Sequence, residues 1–227
     1  MSDAFERLSS TLDTLRKECP WDKKQTLQSL RYLTIEEVNE LSEAIVALEV
    51  AKENCDEKER AILVDNLKKE LGDVAMHVLF YAKIAEDEGL FTVDDVYNGV
   101  VDKLIKRHPF IYDKGAYGGE NWEQLKMREG NRAVLAGVPQ TLPTLVKTVR
   151  MQEKVAGVKS DDAQNIDNAD IRARFEHLVE DGPTTETFGE LLFAIVDWGR
   201  VHGINADDAL SIANRRFYKQ HENLGKK

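Results

Sequence analysis

The sequence has 227 residues and a formal net charge of −10, with 42% hydrophobic and 32% charged residues. This composition is typical of a soluble helical protein and not of a disordered chain. The acidic charge disfavours nucleic acids and anionic membranes as partners, because both bind basic surfaces. Two cysteines, Cys19 and Cys55, are too few for a disulfide framework, and no apolar run resembles a signal peptide or reaches the roughly 18 residues of a membrane span. We therefore expect a cytoplasmic protein.

Two helices are predicted at the start of the chain. The first covers residues 3–18 and ends before Pro20, whose ring cannot continue a helix. The second runs from Leu27 or Thr34 to Lys52. Thr34, with a glutamate three residues later, has the form of a capping box.

Two further helices are predicted on either side of a glycine turn. The polar sequence KENCDEKER at 52–60 is a solvated helix extension or a loop, and a third helix follows over 61–88. Gly89 suits the left-handed cap at the end of that helix. TVDD at 92–95 then caps a fourth helix, which ends before Pro109. Because no segment alternates as a strand does, the predicted fold class is all-α.

The composition changes between residues 110 and 145, where glycines, aromatic residues and turn formers concentrate. We therefore predict a first helical domain over 1–130, a linker over 131–145 and a second helical domain over 146–227. The second domain is expected to contain four helices, at 146–156, 171–180, 188–202 and 206–222.

The two predicted domains share a weak internal repeat. Residues 70–96 and 187–210 each contain a glycine–acid pair, an apolar helix, a glycine, an acidic cap and the start of another helix. This spacing predicts two tandem copies of one helical unit. The second copy lacks the counterpart of Glu70, because Thr187 stands in its place, and no EExxE sequence precedes it. We expect the second unit to be degenerate.

The sequence TIEEVNELSEAI at 34–45 places four carboxylates on the second helix. At 100° per residue, Glu37 projects from within an apolar stripe, Glu40 lies at its edge, and Glu36 and Glu43 lie farther round. An ordinary solvated face is the alternative for Glu36 and Glu43. The apolar stripe itself is formed by Val38, Leu41, Ile45 and Leu48.

The third helix carries a matching pair of acids. Glu70 falls inside its apolar stripe and Asp73 lies one turn away at the edge. Antiparallel packing of the two stripes would bring both acids against Glu37 and Glu40. Four converging carboxylates need a counter-charge, and oxygen ligands suit Mg²⁺ or Mn²⁺. Zinc is disfavoured because no histidine or cysteine lies at ligand spacing.

Several motifs together resemble the MazG family of nucleoside triphosphate pyrophosphohydrolases. The motifs are CPWD at 19–22, EEVNE at 36–40, ELGD at 70–73, KRHP at 106–109 and NWEQLK at 121–126. The family signature is EExxE, a spacer and ExxD. The spacer here, 41–69, lies at or beyond the long end of the family's range. The resemblance covers residues 1 to about 160 well and the rest loosely.

The resemblance implies Mg²⁺-dependent hydrolysis of an NTP or dNTP to the nucleoside monophosphate and pyrophosphate. It also implies an all-α bundle completed by a homodimer. Carried onto this sequence, the metal ligands are Glu37, Glu40, Glu70 and Asp73, and Glu36 is a further ligand or a water-orienting base. The first unit is expected to be the active one.

Residues that bind the nucleotide are also expected from the resemblance. Lys103 and Arg107, at i and i+4 on the fourth helix, match family positions that bind substrate, and an ordinary basic face is the alternative. Trp122 and Lys126 match positions near the nucleotide, although Trp122 also suits a packing role. Trp21 suits either stacking on a base or anchoring its own loop.

Two other kinds of protein are built as acidic helical bundles. A di-iron carboxylate protein needs Glu-x-x-His pairs on two helices, and the chain contains none. A non-catalytic scaffold or nucleotide-binding protein remains the alternative, because nucleotide binding and hydrolysis use the same ligands.

Overall fold

The computed structural model describes residues 3–51, 55–113, 115, 133–158 and 166–224. Within these ranges the chain forms helices and no strands, so the all-α prediction is confirmed. The chain divides into two compact units, Met1–Lys106 and Arg107–Lys227. The predicted linker at 131–145 falls inside the second unit, and its role as a linker stays a prediction. Each helix in the described ranges is too short or too polar to span a lipid bilayer.

The helices of the first unit follow the predicted order, and α4 runs to the boundary between the units. They are α1 (Asp3–Glu18), a 3₁₀ turn (Asp22–Lys24), α2 (Leu27–Ala51), α3 (Glu57–Asp87) and α4 (Val93–Arg107).

Helix α2 begins at the earlier of the two predicted starts. Its cap is formed by Thr26 and Ser29: the Ser29 N–H donates to Thr26 Oγ1 (3.1 Å) and the Thr26 N–H donates to Ser29 Oγ (2.9 Å). The predicted capping box at Thr34 is wrong, because Thr34 lies inside the helix and its hydroxyl donates to the Leu30 carbonyl (3.0 Å). The reciprocal bonds at Thr26 satisfy the free N–H groups of the first turn, so the helix starts there.

Helix α3 begins four residues before its predicted start, because Asp56 caps it by accepting a hydrogen bond from the Glu59 N–H (2.8 Å). Its end confirms the predicted glycine cap. Gly89 has φ +69°, and the Leu90 N–H donates back to the Ala85 carbonyl (2.9 Å). Residues 52–54, part of the predicted extension or loop, lie outside the described residues.

Helix α1 packs across the start of α2 and the second half of α3. The shared core consists of Leu12, Leu30, Leu79, Phe80 and Ile84. Charged pairs border this core: Arg16 binds Asp87 (2.6 Å), and Lys83 binds Asp13 (2.8 Å). These contacts lie at the end of the hairpin that is formed by the start of α2 and the second half of α3.

The second unit contains the four predicted helices, three of which begin two or three residues earlier than predicted. In chain order the elements are α5 (Pro109–Tyr112), a 3₁₀ turn (Val134–Gly137), α6 (Thr144–Ala156), α7 (Asn168–Glu180), α8 (Thr185–Val201) and α9 (Ala206–His221). Helix α8 packs against α6, α7 and α9. Its buried residues include Leu191, Ala194 and Val196.

The α8–α9 turn has the same construction as the α3–α4 turn. Gly203 has φ +72°, and the Ile204 N–H donates to the Gly199 carbonyl (2.8 Å). Asn205 then caps α9 by accepting from the Asp207 N–H (2.9 Å). Gly199 leaves little room for a side chain, since a Cβ atom there would lie 3.3 Å from the Ile204 carbonyl oxygen. The internal repeat seen in the sequence is therefore present in the backbone of both turns.

Candidate metal centre

The α2–α3 hairpin brings three carboxylates together in the first unit. One oxygen from each of Glu37, Glu70 and Asp73 lies within 4.8 Å of the others. Among the described residues, this is the one group of three or more acidic, histidine or cysteine side chains at such spacing. The two helices run antiparallel, since Thr34 meets His77 and Tyr81 whereas the later Glu37 meets the earlier Glu70 and Asp73.

Glu70 is the most buried acid of the group, with 4% of its surface exposed. Its Oε1 atom accepts a hydrogen bond from Lys69 Nζ (3.0 Å), and its Oε2 atom has no partner among the described residues. An unpaired buried carboxylate oxygen is costly, because desolvation penalises the charge. The group therefore fits a hard cation such as Mg²⁺ or Mn²⁺, which oxygen ligands coordinate.

Glu40 lies at the exposed rim of the group. Desolvation raises the pKa of its carboxyl above the usual value, and the negative charges of Glu70 and Glu37 raise it further. Glu36 and Glu43 are exposed. Of the four acids on α2, Glu37 is half-buried, as expected from its angular position, and the other three are exposed.

The packing face of α2 differs from the predicted stripe. Ala44 and Ala47 are buried, whereas Val38 and Ile45 are 49% and 46% exposed. The buried face of α2 therefore includes the two alanines rather than these larger apolar residues. The prediction that Val38 and Ile45 pack against α3 is therefore wrong.

A partly buried polar cluster lies close to the carboxylates along both helices. Thr34, one turn before Glu37, has its Oγ1 atom 2.7 Å from His77 Nδ1 and 2.7 Å from the Tyr81 hydroxyl. His77 is buried, and its ring nitrogen has a hydrogen-bonding partner in Thr34. These bonds join α2 to α3 and fix the register in which Glu37 faces Glu70.

Sequence reasoning missed Lys69. Its ammonium lies 3.0 Å from Glu70 Oε1 and 3.8 Å from Asp73 Oδ2. The hydrogen bond to Glu70 is the main reason that the pKa of Lys69 is raised, and the negative charge of Glu70 adds to it. The spacing of Lys69 and Asp73, i and i+4 on one helix, was a signal for this pair.

The remaining predicted site residues have different surroundings. Lys103 is exposed on α4, and Arg107, at the last position of α4, is half-buried. Trp21 is 54% exposed and precedes the 3₁₀ turn. Trp122 and Lys126 lie outside the described residues. The proposed contacts of these five residues with a nucleotide stay predictions.

Comparison with known proteins gives one consistent family. A model of the MazG nucleotide pyrophosphohydrolase domain matches residues 25–112. The chain is 35% identical to the nucleoside triphosphate pyrophosphohydrolase/pyrophosphatase MazG of Thermotoga maritima, over 97% of this chain and 85% of that protein. It is 32% identical to the nucleoside triphosphate pyrophosphohydrolase of Escherichia coli K12, over 95% of this chain and 85% of that protein.

A further relative is much longer than this chain. The uncharacterised protein YabN of Bacillus subtilis is 38% identical over 95% of this chain, which spans only 45% of the length of YabN. The matches to all three relatives include both helical units of this chain. The family model, in contrast, ends at residue 112, so it covers the hairpin with the carboxylates and not α6 to α9.

Proposed function

Because the chain belongs to the MazG family of nucleotide pyrophosphohydrolases, we propose that it hydrolyses nucleoside triphosphates to nucleoside monophosphates and pyrophosphate with Mg²⁺. The observation that carries this proposal is the carboxylate group of the α2–α3 hairpin, with a buried Glu70 oxygen that lacks a partner. Mn²⁺ is an alternative cation, because it accepts the same oxygen ligands.

Four side chains would hold the cation: Glu37, Glu70 and Asp73 from the compact group and Glu40 from its rim. When bound, Mg²⁺ supplies charge neutralisation for a triphosphate and lowers the pKa of an attacking water. Glu36 is exposed next to Glu37 and serves as a further ligand or orients the water. Burial restrains the Glu70 carboxylate, so this one ligand would be held in place before substrate arrives.

The basic residues of α4 would bind the phosphates. Lys103 and Arg107 are one turn apart on the same helix and so share a face. An arginine can bind a phosphate through two parallel hydrogen bonds, and a lysine adds a point charge. Trp21, Trp122 and Lys126 complete the proposed nucleotide contacts.

We also propose a homodimer. In the first unit, apolar side chains remain exposed on the outer faces of both hairpin helices, among them Val38 and Ile45 on α2 and Leu71 and Val78 on α3. A second copy would remove these residues from water. Light scattering should give about twice the monomer mass of 25.8 kDa, and Ile45→Lys should lower the measured mass to that of a monomer.

The proposed setting is the cytoplasm, where nucleoside triphosphates are abundant. Nucleic acid is not proposed as a partner, because the net charge of −10 opposes binding to a polyanion.

One assay tests the reaction. The protein is incubated with Mg²⁺ and each common NTP and dNTP, and the products are resolved by anion-exchange chromatography. The expected products are the monophosphate and pyrophosphate in equal amounts. Formation of the diphosphate and phosphate would contradict the proposal. Nucleotide binding without any turnover would instead favour the non-catalytic alternative.

A further inference from the structure

We propose that Lys69 is a built-in counter-ion of the carboxylate group, and that its ammonium must be displaced before a divalent cation binds. This inference rests on the proposed metal site, and it assigns to Lys69 control over how tightly that site binds a cation. Lys69 would therefore set the cation concentration at which the site fills.

The contacts of Lys69 place a positive charge among the proposed ligands. Its Nζ atom donates to Glu70 Oε1 at 3.0 Å and lies 3.8 Å from Asp73 Oδ2. Both carboxylates belong to the group whose oxygens lie within 4.8 Å of one another. An ammonium and a divalent cation at this position would compete for the same oxygens.

Displacement of Lys69 requires no change in the helices. The Lys69 side chain is 64% exposed, whereas the Glu70 side chain is 5% exposed. The lysine has a flexible four-carbon stem and can turn its ammonium into water, but the buried carboxylate cannot follow it. The buried Glu70 oxygen thus keeps its place while one cation replaces the other.

The neighbouring lysine provides a matched control. Lys68 has a side chain that is 69% exposed, and its ion pair is with Asp65, one turn earlier on α3. Loss of either lysine changes the net charge equally. Only Lys69 contacts two of the proposed ligands, so any difference between the two variants reports the local contact rather than long-range attraction of cations.

The test uses Lys69→Met and Lys68→Met, which keep the length of the stem and remove the charge. Binding of Mn²⁺ alone to the full-length protein is followed by the electron paramagnetic resonance signal of free Mn²⁺. Because partly exposed ion pairs alter an equilibrium by about two- to fivefold, Lys69→Met should bind Mn²⁺ about two- to fivefold more tightly than Lys68→Met. Without a cation, Lys69→Met should also melt at a lower temperature, since the carboxylates lose their counter-charge.

Equal affinities in the two variants, or weaker binding by Lys69→Met, would overturn the role of Lys69. Lys69→Arg keeps the charge and should return the affinity towards that of the wild type. If Lys69→Met loses its helical circular dichroism, Lys69→Gln replaces it in the same comparison. Absence of Mn²⁺ binding in the wild type and all variants would overturn the proposed metal site itself, whereas binding with no difference between variants would overturn only this inference.

Discussion

The two helical hairpins α2–α3 and α7–α8 differ in how their charged side chains are paired. In α2–α3, three carboxylates meet and one buried oxygen has no partner among the described residues. In α7–α8, Arg174 on one helix binds Glu190 on the other at 3.3 Å. The second hairpin places an arginine against its acid, whereas in the first Lys69 contacts two of three clustered carboxylates.

The difference between the hairpins lies in side chains and not in the backbone that follows them. Both α3 and α8 end in a glycine with positive φ, and a capped helix follows each. The repeat aligns Glu190 with Asp73 and Thr187 with Glu70. The second unit therefore keeps Glu190, the counterpart of Asp73, but has no counterpart of the buried Glu70. Arg174 forms an ion pair with Glu190. A shared helical frame therefore does not by itself bring three carboxylates together.

The largest expected effect comes from removing the buried acid of the first hairpin. Glu70→Gln should lower kcat/KM for NTP hydrolysis by about 100-fold or more, because it removes a proposed metal ligand. The amide has nearly the same shape and no charge, so the helical circular dichroism should be unchanged. Steady-state kinetics with pyrophosphate detection provide the measurement.

The matched control is Glu190→Gln in the second hairpin, which should change kcat/KM by less than about twofold. A similar loss in both variants would contradict the assignment of activity to the first unit. Near wild-type activity in Glu70→Gln, and likewise in Glu37→Gln, would show that the proposed ligands are wrong.

The next effect concerns the polar cluster that joins α2 to α3. Thr34→Val removes a hydroxyl bonded to His77 and Tyr81 and leaves both groups with an unmet hydrogen bond inside the hairpin. The free energy of unfolding should fall by about 1–3 kcal/mol, as measured by urea denaturation.

Thr14→Val is the control for this variant. The Thr14 hydroxyl is exposed and donates only to the Ser10 carbonyl of its own helix, so the change should cost less than about 0.5 kcal/mol. Equal losses in Thr34→Val and Thr14→Val would mean that the cluster does not hold the two helices together.

A smaller effect is expected at the helix caps, which are similar in the two units. Hydrogen bonds from the Asp170 and Ala169 backbone lower the pKa of Asp167, and bonds from Thr92 lower the pKa of Asp95. A carboxyl whose folded pKa is lowered stabilises the protein above its unfolded pKa, and this contribution is lost as the pH falls through the folded pKa.

Asp167→Ala and Asp95→Ala should therefore each lower the melting temperature by a similar small amount from pH 7 to pH 5. The deficit relative to the wild type should shrink below about pH 4, near the unfolded pKa of an aspartate. Thermal melts across this pH range provide the measurement. A deficit that grows on acidification would contradict the assigned direction of the pKa shifts.

The sequence predicts what depends on local periodicity. The 3.6-residue repeat places Glu37 and Glu70 on the inner faces of their helices, and the glycine at 89 marks a real turn. Periodicity does not predict which side of an apolar stripe the neighbouring helix covers. Val38 and Ile45 are therefore expected at the packed surface but lie about half exposed. The position of Lys69 depends on the side-chain conformation of a flexible residue, which periodicity does not specify.

The smallest expected effect sharpens the contrast between the hairpins. Arg174→Met breaks the ion pair with Glu190, in which both side chains are partly exposed, at 42% and 60%. Such pairs contribute about 0–1 kcal/mol, so the change in unfolding free energy should be at the limit of detection.

More informative is Mn²⁺ binding by a variant in which Glu70→Gln is combined with Arg174→Met. Glu190 then has no arginine, but it also has no second buried acid, and a single exposed carboxylate does not organise several oxygens around a cation. The double variant should therefore bind Mn²⁺ no better than Glu70→Gln alone. Recovered binding would mean that the arginine alone separates the second hairpin from a metal site, and that the missing counterpart of Glu70 does not.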